Sequence, residues 1–233
     1  MAEEGKEMWE EPGEPEAEKE EKKSLLKNIF LNITAWGISE EKAKQVLEVF
    51  EKIDRKNFVP DELESEAYVD YPLIIGKGQT ISQPSTVAFM TSLLELEKWN
   101  NVLEIGTGSG YSAAITFSII NPGKLTTMEI IPELHERAII NLKKYFPAEL
   151  GKTLVPVLEN GARGFEKNAP YDRIYFTAGI QGEFDFSLIE KQLSKNAIIL
   201  IPEQQGSLIL RKYKNGKIAV EKKYGGFAFV PLK

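Results

Sequence analysis

The reading of the fold turns on residues 101–115: Asn101-Val102-Leu103-Glu104-Ile105-Gly106-Thr107-Gly108-Ser109-Gly110-Tyr111-Ser112-Ala113-Ala114-Ile115. A short apolar run stops at a cluster of glycines, and an apolar segment opens straight after it. That order predicts a buried strand over Asn101–Ile105, a tight turn, and a helix over Tyr111–Ile120. Glycines at such a turn let the main chain bend sharply and lie close against a ligand. The alternation continues outward. Pro84–Leu94 reads as a helix, Lys124–Ile130 as a strand, and Pro132–Tyr145 as a helix with its proline suitably first. Thr153–Leu158 and Asp172–Thr177 read as strands, Phe186–Ser194 as a helix and Ala197–Pro202 as a strand. Strands alternating with helices predict an α/β chain with a doubly wound, Rossmann-like, mostly parallel sheet. The last portion changes style. Ser207–Tyr213 and Lys217–Tyr224 flank Asn215-Gly216, a type I′ hairpin signal, so an antiparallel hairpin closes the sheet.

The glycine spacing bears on the ligand. Gly106 and Gly108 match the first two positions of the dinucleotide fingerprint G-x-G-x-x-G, but its third glycine would fall on Tyr111. The spacing is instead G-x-G-x-G, with Glu104 two residues ahead. Glu129 ends the next strand, 19 residues after Gly110, where a carboxylate can accept from ribose hydroxyls. An acid at Glu104 opposes a pyrophosphate and suits a cationic ligand such as a sulfonium. S-adenosylmethionine is therefore favoured over NAD. A phosphate-binding P-loop is absent, since Gly123-Lys124 is followed by Leu125 and lacks the upstream glycine.

Composition narrows the function. The chain has 233 residues, 42% hydrophobic and 27% charged, enough for one domain with a real core. It has no cysteine and a single histidine, His135, which excludes disulfides, thiolate catalysis, zinc fingers and HExxH sites. No metal is expected. The net charge of −6 matches residues 1–23 alone, which hold ten acidic and four basic side chains; residues 24–233 carry 25 of each sign. A neutral body lacks the basic excess of most nucleic-acid binders, and Lys212, Lys214, Lys217, Lys222 and Lys223 read as a solvated strand face. No stretch has the length and apolarity of a membrane helix. The N-terminus resembles neither a signal nor a transit peptide. A cytoplasmic monomer is expected.

Residues 1–23 are expected to be a disordered acidic tail, with Met8 and Trp9 incidental to it. Residues 24–84 are assigned to N-terminal helices and a substrate loop, and 85–233 to the Rossmann-like core. Ala43, Val46, Leu47 and Phe50 repeat at helical spacing behind Ser39 as N-cap. Arg55 to Ser82 is a long loop, and loops of that length inside a compact domain are commonly functional. His135 is read as a surface residue, and Trp36 and Trp99 as packing residues.

The loop carries a further signal. Asn57-Phe58-Val59-Pro60, Tyr68-Val69-Asp70-Tyr71-Pro72-Leu73 and Gly76-Lys77-Gly78-Gln79-Thr80-Ile81-Ser82-Gln83-Pro84 are followed by the glycine turn, Ala169-Pro170-Tyr171-Asp172-Arg173-Ile174, Thr177-Ala178 and Phe229-Val230-Pro231-Leu232. In this order the pieces resemble the protein-L-isoaspartate (D-aspartate) O-methyltransferase family, over about residues 25–232. The resemblance implies a class I methyltransferase sheet. It implies methyl transfer from S-adenosylmethionine to the free α-carboxylate of L-isoaspartyl residues in damaged proteins and peptides, whose esters collapse to succinimide. By the same resemblance Ser82 is the catalytic residue, and Thr80, Ile81 and Ser82 line the cofactor side of the loop. Gly106, Gly108 and Glu129 would contact the amino-acid and ribose portions, with Glu104, Thr107, Gly110, Ile130 and Thr177 in the same site. Asn160 and Gly161 would lie by the adenine. Gln79, Gln83, Pro84 and Val87 fall to the substrate side.

The chemistry suits these residues. A carboxylate with an ordinary pKa of ~4 is ionised at neutral pH and needs no general base. Ser82 would orient it, or would alternatively N-cap the helix starting near Pro84. Three departures from the family pattern stand out, one being the acidic tail, which has no counterpart in that pattern. Glu159-Asn160-Gly161 replaces the usual Gly-Asp-Gly, so weaker cofactor binding is expected. The chain also ends one residue after Leu232, where many relatives run on near the site, so less closure over the substrate is expected. Two other readings fit the sequence: a related methyltransferase acting on a different carboxyl or small-molecule substrate, and a non-catalytic S-adenosylmethionine-binding protein.

Overall fold

The structure, a computed structural model, describes residues 15–233. Met8 and Trp9 lie outside the described residues. Two helices lead, α1 (Glu16–Ala35) and α2 (Glu40–Lys52). Ser39 caps α2 as the sequence predicts, its hydroxyl accepting from the Lys42 N–H at 3.3 Å.

Helix α1 corrects the expected tail, because residues 16–23 form its first two turns. The residues that read as disordered by charge, EAEKEEKK, are also good helix formers. Glu16 and Glu18 sit in the first turn, where the helix dipole favours acids. The segment also finds partners: Glu18 pairs with Lys56 at 3.2 Å and Lys22 with Asp54 at 3.6 Å. Tyr68 Oη donates to Asp54 at 2.8 Å.

The expected long loop holds more structure than its composition suggests. Two short 3-10 turns, Arg55–Phe58 and Asp61–Glu66, precede a small antiparallel pair, β1 (Leu73–Gly76) and β2 (Gln79–Ile81). Helix α3 (Pro84–Leu93) follows and is buried throughout.

The remaining chain builds one seven-stranded sheet. Its elements are β3 (Asn101–Ile105), α4 (Tyr111–Ile120), β4 (Lys124–Glu129), α5 (Pro132–Tyr145), β5 (Leu154–Leu158) and β6 (Tyr171–Phe176), then α6 (Ser187–Glu190), β7 (Leu193–Pro202), β8 (Gln205–Lys214) and β9 (Lys217–Ala228). The strand order is β5-β4-β3-β6-β7-β8-β9, parallel through β7 and antiparallel after it. The hairpin turn is as read, with positive φ at both Asn215 and Gly216. The helix expected over Phe186–Ser194 is a single turn. The Gln192 amide is drawn instead to Arg163 and Phe165, and β7 pairs with β6 from Leu193.

One face of the sheet packs under α1–α5 in a core running from Leu25 to Phe229. The other face, with Ile105, Ile174, Phe176 and Ile199, is covered by α6 and aromatic loop residues such as Phe165 and Phe184. Trp36 packs edge-on against Phe89 and Phe227. Trp99, read as a packing residue, is 73% exposed at a turn with φ +72. Among the described residues no helix is long and apolar enough to cross a membrane.

Candidate functional site

The chain winds from β3 outward to β5, then returns to β6 on the other side of β3. The strand order therefore reverses between β3 and β6, and ligands bind at the carboxyl ends of strands at such a point. There the structure holds an open cavity.

The turn after β3 is pinned on both sides. The Gly106 and Thr107 N–H groups both donate to Met128 O, at 2.8 and 2.9 Å. Thr177, just past β6, donates from its N–H to Ile105 O at 3.0 Å and from its hydroxyl to Gly106 O at 2.5 Å. Gly106 has φ +102, and a Cβ there would run into Thr177 Oγ1, so only glycine fits. Glu129 ends β4 with its carboxylate fixed: it accepts from the N–H of Gly108 at 2.8 Å and of Ile130 and Ile131 at 3.0 Å each. Its Oε2, which takes only the Gly108 N–H, keeps a lone pair for a further bond.

Most residues proposed from the sequence meet at this cavity. Its walls include Thr80, Ile81 and Ser82 from the β2 end, then Gly106, Thr107 and Gly108, and across from them Glu129, Ile130, Gly161 and Thr177. Of the substrate-side set, Gln79 and Val87 also line it. Five residues stand apart from these walls. Gly110 begins α4 and packs on Ala138 and Leu142. Asn160 turns its Oδ1 to the Ala162 N–H at 2.8 Å, capping the 3-10 turn at Gly161–Arg163. Its neighbour Glu159 is the one that fronts the cavity. Pro84 is buried as the first residue of α3, and Gln83 opens onto a second chamber described below.

The fifth is Glu104. It is fully buried beneath the turn, where its carboxyl receives Thr127 Oγ1 at 2.5 Å and Tyr175 Oη at 2.8 Å. Burial pushes its pKa up to about 7, against hydrogen bonds that lower it. The sequence argument that Glu104 faces the ligand is thereby corrected: alternation along β3 turns it from the cavity, and Glu129 and Glu159 are the carboxylates that front it. The shift makes a testable statement. A raised folded-state pKa means the native protein holds its proton to higher pH than the unfolded chain. The stability this contributes is present below the ordinary value near 4.5 and is lost as pH rises through about 7. Relative to Glu104→Gln, the parent protein is expected to lose on the order of 3 kcal/mol across that window. Urea midpoints at both ends of the window check it, and parallel profiles would contradict it.

The structure also adds wall residues that the sequence reading missed. Met128 and Ile131 flank Glu129, and Ser109 and Ser112 follow the glycine turn. Val230, Pro231, Leu232 and Lys233 come from the end of the chain. The last segment is tied in by Gly179, whose N–H donates to Val230 O at 2.7 Å and whose carbonyl accepts from Leu232 N–H at 2.8 Å. No local signal marks this return. The final residues themselves form one wall of the cavity.

A second chamber adjoins the first and shares Thr80, Ser82, Thr177 and Val230 with it. Its remaining walls are Trp36, Pro72 and the strand end at Gly226–Phe229, with Gln83 and Thr86. None of these side chains is ionisable. Ser82 is not the helix cap; Gln83 holds that position, and the first turn of α3 is satisfied by Asp70, which accepts from Ser85 N–H at 2.9 Å and Ser85 Oγ at 2.6 Å. The loop behind Ser82 is held by Arg55. Its buried guanidinium donates to the carbonyls of Ala67, Tyr71 and Ser82 at 2.8, 3.0 and 3.2 Å.

The first cavity suits S-adenosyl-L-methionine on donor chemistry. A fixed carboxylate stands ready for a ribose diol, Met128, Ile130 and Ile105 offer apolar faces to a flat base, and backbone amides lie at the turn. Two carboxylates against one lysine, Lys233, disfavour a polyphosphate. Fold and site together define a class I S-adenosyl-L-methionine-dependent methyltransferase. The family profile of protein-L-isoaspartate (D-aspartate) O-methyltransferases matches residues 25–233, and the chain belongs to that family.

Relatives agree. The chain is 43% identical to protein-L-isoaspartate O-methyltransferase 2 of Archaeoglobus fulgidus, over 82% of this chain and 86% of that protein. It is also 43% identical to the protein-L-isoaspartate O-methyltransferase of Ignicoccus hospitalis, over 91% and 97%. A solved protein-L-isoaspartate O-methyltransferase superposes with a TM-score of 0.72 at 25% identity, over 88% of this chain and 65% of that one. A Plasmodium falciparum protein described as a beta-aspartate methyltransferase, solved in complex with S-adenosyl-L-homocysteine, shares the fold with a TM-score of 0.73 at 23% identity, over 91% and 97%.

Proposed function

We propose that this protein methylates the free α-carboxylate of L-isoaspartyl residues in damaged proteins and peptides, with Ser82 orienting the carboxylate. The observation that carries the proposal is the position of Ser82 on the wall common to both chambers. S-adenosyl-L-methionine, when bound, supplies a methyl group made electrophilic by its sulfonium. Glu129 and the amides at Gly106–Gly108 would hold it, with Ile130 and Gly161 along the base. The substrate would enter by the second chamber. There it meets hydroxyls and, among the described residues, no cation. A lysine gripping the carboxylate would stabilise its charge most before transfer, when the charge is full, and so would raise the barrier. A hydroxyl fixes direction at less cost of that kind. One carboxylate oxygen forms the new bond to carbon as the carbon–sulfur bond breaks, and no proton moves. Rate would come from holding the reacting atoms in line at ~3–3.5 Å.

The sequence without cysteine supports a reducing compartment, and we place the protein in the cytoplasm. We propose that it acts as a monomer. The test is transfer of labelled methyl to paired peptides that differ only in L-isoaspartate or L-aspartate at one position. Base-labile label on the isoaspartyl peptide alone is expected; equal label on both, or none, would sink the proposal. In Ser82→Ala the turnover number is expected to fall about 100-fold, while affinity for S-adenosyl-L-homocysteine changes less than about 3-fold. Unchanged turnover would remove Ser82 from the reaction.

A further inference from the structure

The second chamber has two unlike ends. Thr80, Ser82 and Thr177 make a neutral polar end where it meets the cofactor cavity, and Trp36, Pro72 and Phe227 make an apolar one. We infer that this aromatic end, with Trp36 at its centre, receives the side chain next to the isoaspartyl residue and gives the enzyme a preference for apolar and aromatic neighbours. The inference rests on the proposed function and extends it to sequence specificity.

Three observations carry it. First, Trp36 is anchored yet open. It stands at the C-terminus of α1, its ring edge-on to Phe89 at 5.3 Å and to Phe227 at 5.5 Å, and still 38% exposed. A bare ring held on two sides is a rigid platform that loses little freedom on binding. Second, the platform has a stiff backing. Phe89 stacks on Phe227 at 5.6 Å and meets Tyr224 edge-on at 5.2 Å, while Phe227 stacks on Phe229 at 6.3 Å. Third, among the described residues the chamber's lining offers no counter-charge. A charged neighbour would lose water there and gain no partner, which disfavours it.

The covalent chemistry of isoaspartate sets the reach. With its α-carboxylate at Ser82, the neighbouring Cα atoms lie about four or five bonds away on either flank. The continuity of the two chambers through Ser82 brings one flank onto the aromatic end.

The experiment compares isoaspartyl peptides carrying Phe, Leu, Gly, Glu or Lys at each flank in turn. For one flank, KM for Phe or Leu is expected to be at least about 10-fold below KM for Glu or Lys, with turnover numbers within about 3-fold. In Trp36→Ala, and in Trp36→Leu as the variant that keeps apolar packing, that gap is expected to shrink to below about 3-fold. Affinity for S-adenosyl-L-homocysteine and melting temperature, measured alongside, report an intact fold. Equal KM across the series in the parent protein would overturn the inference alone. A full gap in a folded Trp36→Leu protein would overturn the role of Trp36. Methylation of none of the peptides, with S-adenosyl-L-homocysteine still bound, would overturn the repair reading and this inference with it.

Discussion

A Gly106→Ala variant is expected to bind S-adenosyl-L-homocysteine at least ~100-fold more weakly than the parent protein, measured by calorimetry. Two costs combine at this residue. An L side chain at φ +102 is strained. The added methyl also runs into Thr177 Oγ1, which cannot simply swing away, because it is bonded to Gly106 O and its own N–H is bonded to Ile105 O. The ends of β3 and β6 are therefore locked to each other at the point where the ligand lies. Relief of the collision must come from the turn itself, which carries the Gly106 and Thr107 N–H groups off Met128 O and shifts the Gly108 N–H away from Glu129. Pairing the change with Thr177→Ala removes the collision and leaves the strained φ, so it should recover part of the loss. Undiminished affinity in the single variant would mean that the turn does not lie against the ligand.

The second large effect is expected at Arg55, where Arg55→Leu should destabilise the protein by about 4 kcal/mol. This guanidinium is 2% exposed and joins three loop carbonyls that sit 27 residues or less along the chain, at Ala67, Tyr71 and Ser82. Burial lowers its pKa to about 10, eased by the charge of Asp70, so it remains a cation at neutral pH. Truncation leaves three acceptors without donors and the loop without its tie. For a chain of this size the melting temperature should drop by about 10 °C. Because one of the carbonyls belongs to Ser82, methyl transfer in the folded fraction should fall as well. A variant with parental melting temperature and turnover would show that water replaces the guanidinium.

The two residues illustrate what a sequence makes legible. Gly106 belongs to a motif whose meaning is local: strand, turn and helix follow one another, and the backbone demands are written in adjacent glycines. The strand–helix alternation, the type I′ turn at Asn215-Gly216 and the Ser39 cap were readable for the same reason. Arg55, by contrast, reads in the sequence only as the start of a loop. Its role comes from three carbonyls up to 27 positions away, which no spacing rule connects. Glu104 was readable as an acid in the motif but not as a buried one, since its partners Thr127 and Tyr175 lie on other strands. The first turns of α1 were misread because composition argued for disorder, while the compensating partners, Lys56 and Asp54, stand on a surface assembled only in the fold. The order of the last strands and the arrival of Val230–Lys233 at the cavity were invisible for the same cause.

The sheet stops at β9 without closing. Among the described residues this twelve-residue strand pairs only with β8, so its far edge presents main-chain donors and acceptors to any extended peptide that drifts by. An enzyme whose substrates are damaged chains works among such peptides. Along that strand Lys217 and Lys222 are exposed, and the exposed Glu221 and Lys223 pair at the surface with Arg211 and Glu203. An apolar strand laid on that edge would have to strip those charges of solvent. Among the described residues that boundary is thus guarded by hydrated charge, the device by which an open edge resists pairing with passing chains.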